Sequence, residues 1–205
     1  MQDKWYGDKR DIVKWGVLLE LTRRYQVRHI LQVLYLQPND WGQLEMDGEM
    51  VKLPKEVVQH FRNTSSILSI HCQAQVEIVA ERFVNREDYL QLVIQRIGSR
   101  VRFPGIVFLD PDTGLEPSRA AGLEHVLDVE LAKIWRNLSS GDLMVFYQHQ
   151  TNRKGAPWIE PKKAQFEEAL GVPPGTARLA RAPGIAPDVA FFYIEKNDKE
   201  TSASD

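Results

Sequence analysis

Apolar positions along this chain follow two rhythms that alternate. Over 8–25 they recur at helical spacing: Ile12, Trp15, Gly16 and Leu19 share one face. Val13, Val17 and Leu21 widen that face to nearly the whole circumference, which predicts a helix buried along most of its length. HILQVLYLQ (29–37) then reads as a strand that stops at the turn PND. The stretch 40–53 is polar and irregular. Pro54 suits a first helical turn, and Val57, Val58 and Phe61 give the following segment an apolar face, so a helix is expected from there to about residue 72. VEIVAERF is a second strand; Leu90, Val93, Ile94 and Ile97 then mark a helix over 85–98 with Gly98 as its stop. GIVFLD (105–110) is the third strand. Leu127, Leu131, Ile134 and Leu138 form one stripe over 127–138, and LMVFY (143–147) is the fourth strand. EPKKAQFEEALG (160–171) is a helix between Pro161 and Gly171, and ARLARA and VAFFYIE are two strands joined by PGIAPD.

Strands separated by helices predict a three-layer, Rossmann-like α/β fold with a mostly parallel sheet. The last two strands have no helix between them, so a terminal antiparallel strand pair is expected. The whole fits a single domain over 1–196, with its N-terminal helical segment over 8–25 and a flexible, charged and small-residue tail over 197–205.

Bulk properties narrow the partners. With 205 residues the chain can bury one good core. A formal net charge of −2 gives no general attraction to nucleic acid, so any such contact needs a local basic patch. Cys72 is the single cysteine, which excludes an intrachain disulfide and a cysteine-rich zinc site and suits a small buried hydrophobe. No apolar run is long enough to cross a bilayer and the polar N-terminus does not read as a signal peptide, so a cytoplasmic protein is expected.

In open α/β sheets ligands bind beyond the carboxyl ends of the strands. Here those ends carry Asn39 and Asp40; Arg82 and Asn85; Asp110-Pro111-Asp112-Thr113-Gly114 with Glu116; and Gln148-His149-Gln150, followed by Asn152, Arg153 and Lys154. Asp110 and Asp112 admit three readings. They make good turn chemistry, with Pro fixing φ and Gly accepting a positive φ. With Glu116 and His149 they also offer hard ligands for Mg²⁺ or Mn²⁺. Alternatively, Asp110 accepts a hydrogen bond from an exocyclic amine. Arg153 and Lys154 can meet phosphate, whereas His29, His60, His71 and His125 lack partners at metal-ligand spacing. The first turn of the N-terminal helix is polar, with Asp8, Lys9, Asp11 and Lys14. Lys14 lies between apolar Val13 and Trp15, which calls for a carboxylate or phosphate partner.

GDKRDIVKWGVLL resembles the N-terminal helix HAGNxADVxKHxxL of the large-subunit rRNA adenine methyltransferases. VEIVAERFVNREDYLQLV…GIVFLDPD is similar to that family's run from a strand through a helix to DPPY, and LSSGDLMVFYQH to a later strand. The order of elements agrees over most of the chain; the letters agree in about three short patches. The resemblance implies a class I methyltransferase with S-adenosylmethionine near Asn39, Asp40 and Phe83, and Asp110 on a target amine. Two departures stand out. The family's second proline and aromatic ring are replaced by Asp112-Thr113, and the first strand leads into LQPNDWGQ, where Gly42 is the lone glycine.

Three functions remain open on the residues. The leading one is a methyltransferase-like protein acting on nucleic acid, with Lys9, Asp11, Lys14, Asn152 and Arg153 as candidate substrate contacts. The second is a metal-dependent phosphoesterase or nuclease, with Asp110, Asp112 and Glu116 on the metal and His149 as general acid or base. The third is a non-catalytic binding protein that uses the same rim.

Overall fold

The computed structural model describes residues 9–37, 43–46, 49–52, 68, 73–100, 104–118, 122–150, 152 and 157–197. In chain order the elements are α1 (Lys9–Tyr25), β1 (His29–Val33), β2 (Gln43–Met46), β3 (Glu49–Lys52), β4 (Gln75–Val79) and α2 (Arg86–Ser99). They continue with β5 (Ile106–Leu109), β6 (Gly114–Leu115), β7 (His125–Val126) and α3 (Asp128–Arg136). The last are β8 (Leu143–His149), α4 (Ile159–Leu170), β9 (Arg178–Ala180) and β10 (Val189–Glu195). The main sheet has six strands in the order β4-β1-β5-β8-β10-β9. The first four are mutually parallel. β10 is inserted antiparallel to both β8 and β9. This is the mostly parallel sheet with an antiparallel close that the alternation of elements predicts. Two small ribbons, β2–β3 and β6–β7, lie outside it.

Alternate residues of each central strand face opposite layers. Ile30, Ile106, Phe108, Val145, Tyr147 and Phe191 pack beneath α1. Leu31, Val33, Val107, Leu109, Phe146 and Phe192 pack against the side that carries α2, α3 and α4. Because both faces are covered, the strands read as nearly continuous apolar runs. On the α4 side Phe166 sits 5.8 Å from the ring centroids of both Phe146 and Phe192 and is fully buried.

The helices follow their local signals, with corrections. Asn85 caps α2, its Oδ1 accepting from the backbone N–H groups of Glu87 and Asp88. The predicted stop at Gly98 does not hold: α2 runs through it to Ser99, and Arg100 N donates to Ile97 O at the cap. Gly171 does end α4, at φ 69°. The first strand is shorter than expected, because Tyr35 adopts φ 47° and turns the chain after Val33. Leu34 N then bonds Val79 O, Tyr35 N bonds the Tyr89 hydroxyl, and Leu36 makes one further bridge to Arg82.

The largest correction concerns α1. Its buried residues are Asp11, Val13, Lys14, Trp15, Leu18, Leu21 and Thr22, while Ile12 is 64% exposed and Gly16 is exposed. The apolar count alone placed Ile12 and Gly16 inward. Instead the buried stripe is 11-14-15-18-22, and its first turn is filled by two ionised side chains. The helix expected from Pro54 to about residue 72, with Cys72, His60 and His71, lies outside the described residues. No described helix is long and apolar enough to cross a membrane.

Candidate functional site at the carboxyl ends of the strands

The strand order reverses between β1 and β5, since β1 continues to β4 on one side and β5 to β8 on the other. Such a switch point opens a crevice at the strands' carboxyl ends. Gln32 on β1 and Asp110, just past β5, share the face that α1 covers, in step with Ile30, Ile106 and Phe108. α1 sends Asp11 and Lys14 into the same place. Lys14 Nζ lies 2.7 Å from Asp11 Oδ1 and 2.8 Å from Asp110 Oδ2, and Gln32 Nε2 donates to Asp110 Oδ2 at 2.9 Å. Asp110 is 1% exposed, and Lys14 is 4% exposed.

One ammonium between two carboxylates sets the electrostatics. Burial alone would push the Lys14 amine down, but the charges of Asp110 and Asp11 outweigh it and hold the amine well above its usual range. Burial pushes the Asp110 carboxyl up; Lys14 opposes this and the like charge of Asp11 adds to it. The two directions agree, because a single cation cannot fully neutralise two buried acids. Gln32 Oε1 is buried there without a hydrogen-bond partner.

A second cluster lies further out on the rim. Val189 on β10 pairs with His149 on β8, which brings Asp188 beside the imidazole. Asp188 Oδ2 is 3.2 Å from His149 Nε2 and accepts from Arg10 Nε at 3.2 Å. Arg10 Nη2 also lies 3.4 Å from His149 Nε2. Burial would raise the Asp188 carboxyl, but the bond and charge of Arg10, joined by His149, hold it below the usual carboxylate range. His149 lines a cavity of about 690 Å³ together with Thr113, Ser118, Glu124, His125 and Lys162.

The turn DPDTG is built as a turn. Gly114 has φ 135°, and a Cβ there would lie 2.4 Å from the Gln148 amide, so both backbone and packing require glycine. That amide closes the turn, since Gln148 Oε1 accepts from Leu115 N at 2.9 Å. Glu116 Oε1 accepts from Asp128 N at 2.7 Å and so caps the first turn of α3. Asp112 is half-buried on the same turn. Among the described residues no three His, Cys, Asp or Glu side chains are grouped to hold a metal ion.

The remaining expected site residues are dispersed. Phe83 is 1% exposed and packs in an aromatic trio, 5.2 Å from the Tyr35 ring and 4.9 Å from the Tyr89 ring. Lys9 is exposed at the start of α1, and Asn152 is half-buried, accepting from Gln150 Nε2. Asn39, Asp40 and Arg153 lie outside the described residues. Sequence reasoning missed Arg10, Gln32 and Asp188. Gln32 had a signal, as an amide inside the apolar run HILQVLYL. Asp188 had none until the register of β10 on β8 was known.

No protein-family model matches the chain, and no curated protein matches it. Among solved structures, a candidate methyltransferase from Thermobifida fusca is similar at 13% identity and a TM-score of 0.44, over 92% of this chain and 80% of that one. A DUF574-family protein from Streptomyces avermitilis is similar at 10% identity and a TM-score of 0.44, over 92% of this chain and 82% of that one. At this depth neither likeness identifies an activity for the chain.

Proposed function

We propose that this chain is a class I methyltransferase that uses S-adenosylmethionine and acts on nucleic acid at the carboxyl rim of its sheet. The observation that carries the reading is the strand order, with β10 inserted antiparallel between β8 and β9 and a crevice between β1 and β5. That is the ground plan which the resemblance of the N-terminal helix and the DPD turn implies.

The residues at the ends of β1 and β4 fit the cofactor's polar groups. Gln37, just past β1, has a buried Nε2 with no hydrogen-bond partner, a donor that calls for an acceptor such as a carboxylate. Glu81, just past β4, keeps its side chain 45% exposed and pairs with Arg96 at 3.2 Å. A carboxylate at the end of the strand next to β1 suits ribose hydroxyls. The turn after β1 does not need glycine to take its left-handed step, since Tyr35 takes it with its ring anchored between Phe83 and Tyr89. When bound, the cofactor supplies an electrophilic methyl group on a sulfonium. On the other side of the rim, Lys9, exposed at the start of α1, is the cation that would meet backbone phosphates.

The metal-dependent reading has lost two of its ligands to other work. Asp110 Oδ2 is paired with Lys14 Nζ and Gln32 Nε2, and Glu116 holds the start of α3. No observation favours it over the first.

The test is binding of S-adenosylmethionine and S-adenosylhomocysteine, by calorimetry and by thermal unfolding. At a hundred times its dissociation constant a ligand of the native state stabilises by about 2.7 kcal/mol, which appears as a clear rise in Tm. Glu81→Ala should weaken binding roughly tenfold, the loss of one charge-assisted hydrogen bond. If neither ligand gives heat or a shift, the proposal fails.

A further inference from the structure

We infer that a cavity at the amino ends of the strands, where α1 hands over to β1, binds a small organic phosphate. The site lies beyond the methyltransferase reading and does not depend on it.

α1 runs the length of the sheet. Its first turns meet the carboxyl rim at Asp110 and Asp188, and its 17 residues reach about 25 Å to the opposite end. A cavity of about 960 Å³ lies there, and its lining is one-sided in charge. Arg23 and Arg28 line it, and no carboxylate among the described residues does, although the chain as a whole carries −2.

Arginines in the last turn of a helix have an ordinary explanation, because cations favour the carbonyl end of the helix dipole. That accounts for Arg23 and Arg24, which share the exposed Glu20 at 3.9 and 3.3 Å. It does not account for Arg28, which lies beyond the helix, is exposed and makes no ion pair with a described residue. The backbone fixes where Arg28 stands: its carbonyl accepts from Gln75 N at 2.8 Å, which ties it to the start of β4.

A second observation is conformational. Gln26 holds φ 54° at the turn out of α1. Glycine takes that step at the least cost, and a side chain there is uncommon. The chain instead keeps a carboxamide in the cavity wall, and Gln73, just ahead of β4, supplies another. Thr22, in the same lining, is 8% exposed and its hydroxyl donates to Leu19 O at 2.8 Å. Its oxygen lone pairs are left to accept from a ligand. Leu19 and Val27 make the remainder apolar.

These features select a ligand class. Two guanidinium groups unopposed in the lining match a phosphate monoester, about −2 at neutral pH, better than the single charge of a carboxylate. The volume is near the top of the usual range for a small-molecule site, about 300–1,000 Å³, so it holds more than the phosphate itself. The carboxamides and Thr22 suit the polar edge of an organic body, and the apolar residues suit its face. Such an ester has two sources, a free metabolite or the phosphorylated end of a nucleic acid.

Calorimetry on the full chain tests the site with phenyl phosphate, inorganic phosphate and benzoate as probes. Phenyl phosphate should bind roughly tenfold more tightly than either of the others, from the burial of its ring and its second charge. Arg28→Gln and Arg23→Gln should each weaken it roughly tenfold, the loss of one charge-assisted hydrogen bond, with Tm unchanged because both side chains are exposed. Arg136→Gln, at an exposed arginine of α3 on the other face of the sheet, should leave the affinity as it is. An oligonucleotide with a 5′-phosphate that displaces phenyl phosphate, where its 5′-hydroxyl counterpart does not, supports the site with a nucleic-acid end as its source. Binding of phenyl phosphate that neither oligonucleotide displaces supports it with a free ester. No heat with phenyl phosphate, equal binding of inorganic phosphate or benzoate, or an affinity untouched in Arg28→Gln overturns the inference.

Discussion

Two charged clusters tie α1 to the rim of the sheet, and both join a cation of α1 to an acid beside a strand end. Lys14 meets Asp110 with side chains 5% and 1% exposed, whereas Arg10 meets Asp188 with side chains 29% and 28% exposed. Burial separates their roles. Inside, removing one ion leaves another unpaired in low dielectric, so the cluster fixes the fold of the crevice. Outside, solvent screens the pair and its contribution to stability is small. The same residue types thus form a buried anchor in one place and a solvent-screened pair in the other.

The largest effect should come from breaking the inner cluster. Lys14→Met would leave Asp11 and Asp110 buried without their cation, at a cost of about 3–5 kcal/mol in urea unfolding. A cost below about 1 kcal/mol would mean that the site admits water and is not an anchor. Arg10→Gln, by contrast, should cost no more than about 1 kcal/mol in the same measurement. If the two variants cost alike, the contrast between the clusters collapses.

A pH series sharpens the outer half. The Asp188 carboxyl sits below its ordinary value in the folded protein. Its contribution is therefore present above the unfolded pKa and is lost as pH falls through the folded one. The stability gap between wild type and Arg10→Gln should hold at neutral pH and close on acidification below the usual carboxylate range. Lys14 has the opposite sign: its raised pKa keeps its contribution whole below the ordinary lysine range, to be lost only as pH rises through a still higher value. The smallest effect belongs to the exposed side of α1. Ile12→Ser should change stability by less than about 0.5 kcal/mol, while Leu18→Ala, at 0% exposure, should cost about 2–5 kcal/mol.

Much of the architecture was legible along the chain. VAFFYIE occupies its expected strand residue for residue, as β10, because seven consecutive residues suited to a two-faced sheet leave little choice. Asn85 and Gly171 delimit helices through local backbone chemistry that needs no distant partner. Gly98 lies one residue short of the end of α2, since the helix closes at Ser99 with Arg100 N reaching back to Ile97 O. The orientation of α1 failed for a different reason. Counting apolar residues cannot tell that Asp11 and Lys14 take buried positions, since Lys14 pairs with Asp110, about a hundred residues away in sequence, as well as with Asp11.

The sequence by itself determined the alternation of elements, the apolar strands, the DPDTG turn and the demand that Lys14 find an anion. Those depend on covalent geometry, local hydrogen bonding and the cost of burying a charge. Tertiary structure alone decided which anions Lys14 meets, that Asp110 faces inward, and that Asp188 stands beside His149. Each follows from strand order and register, which bring together residues far apart in the chain and leave no trace in any one segment.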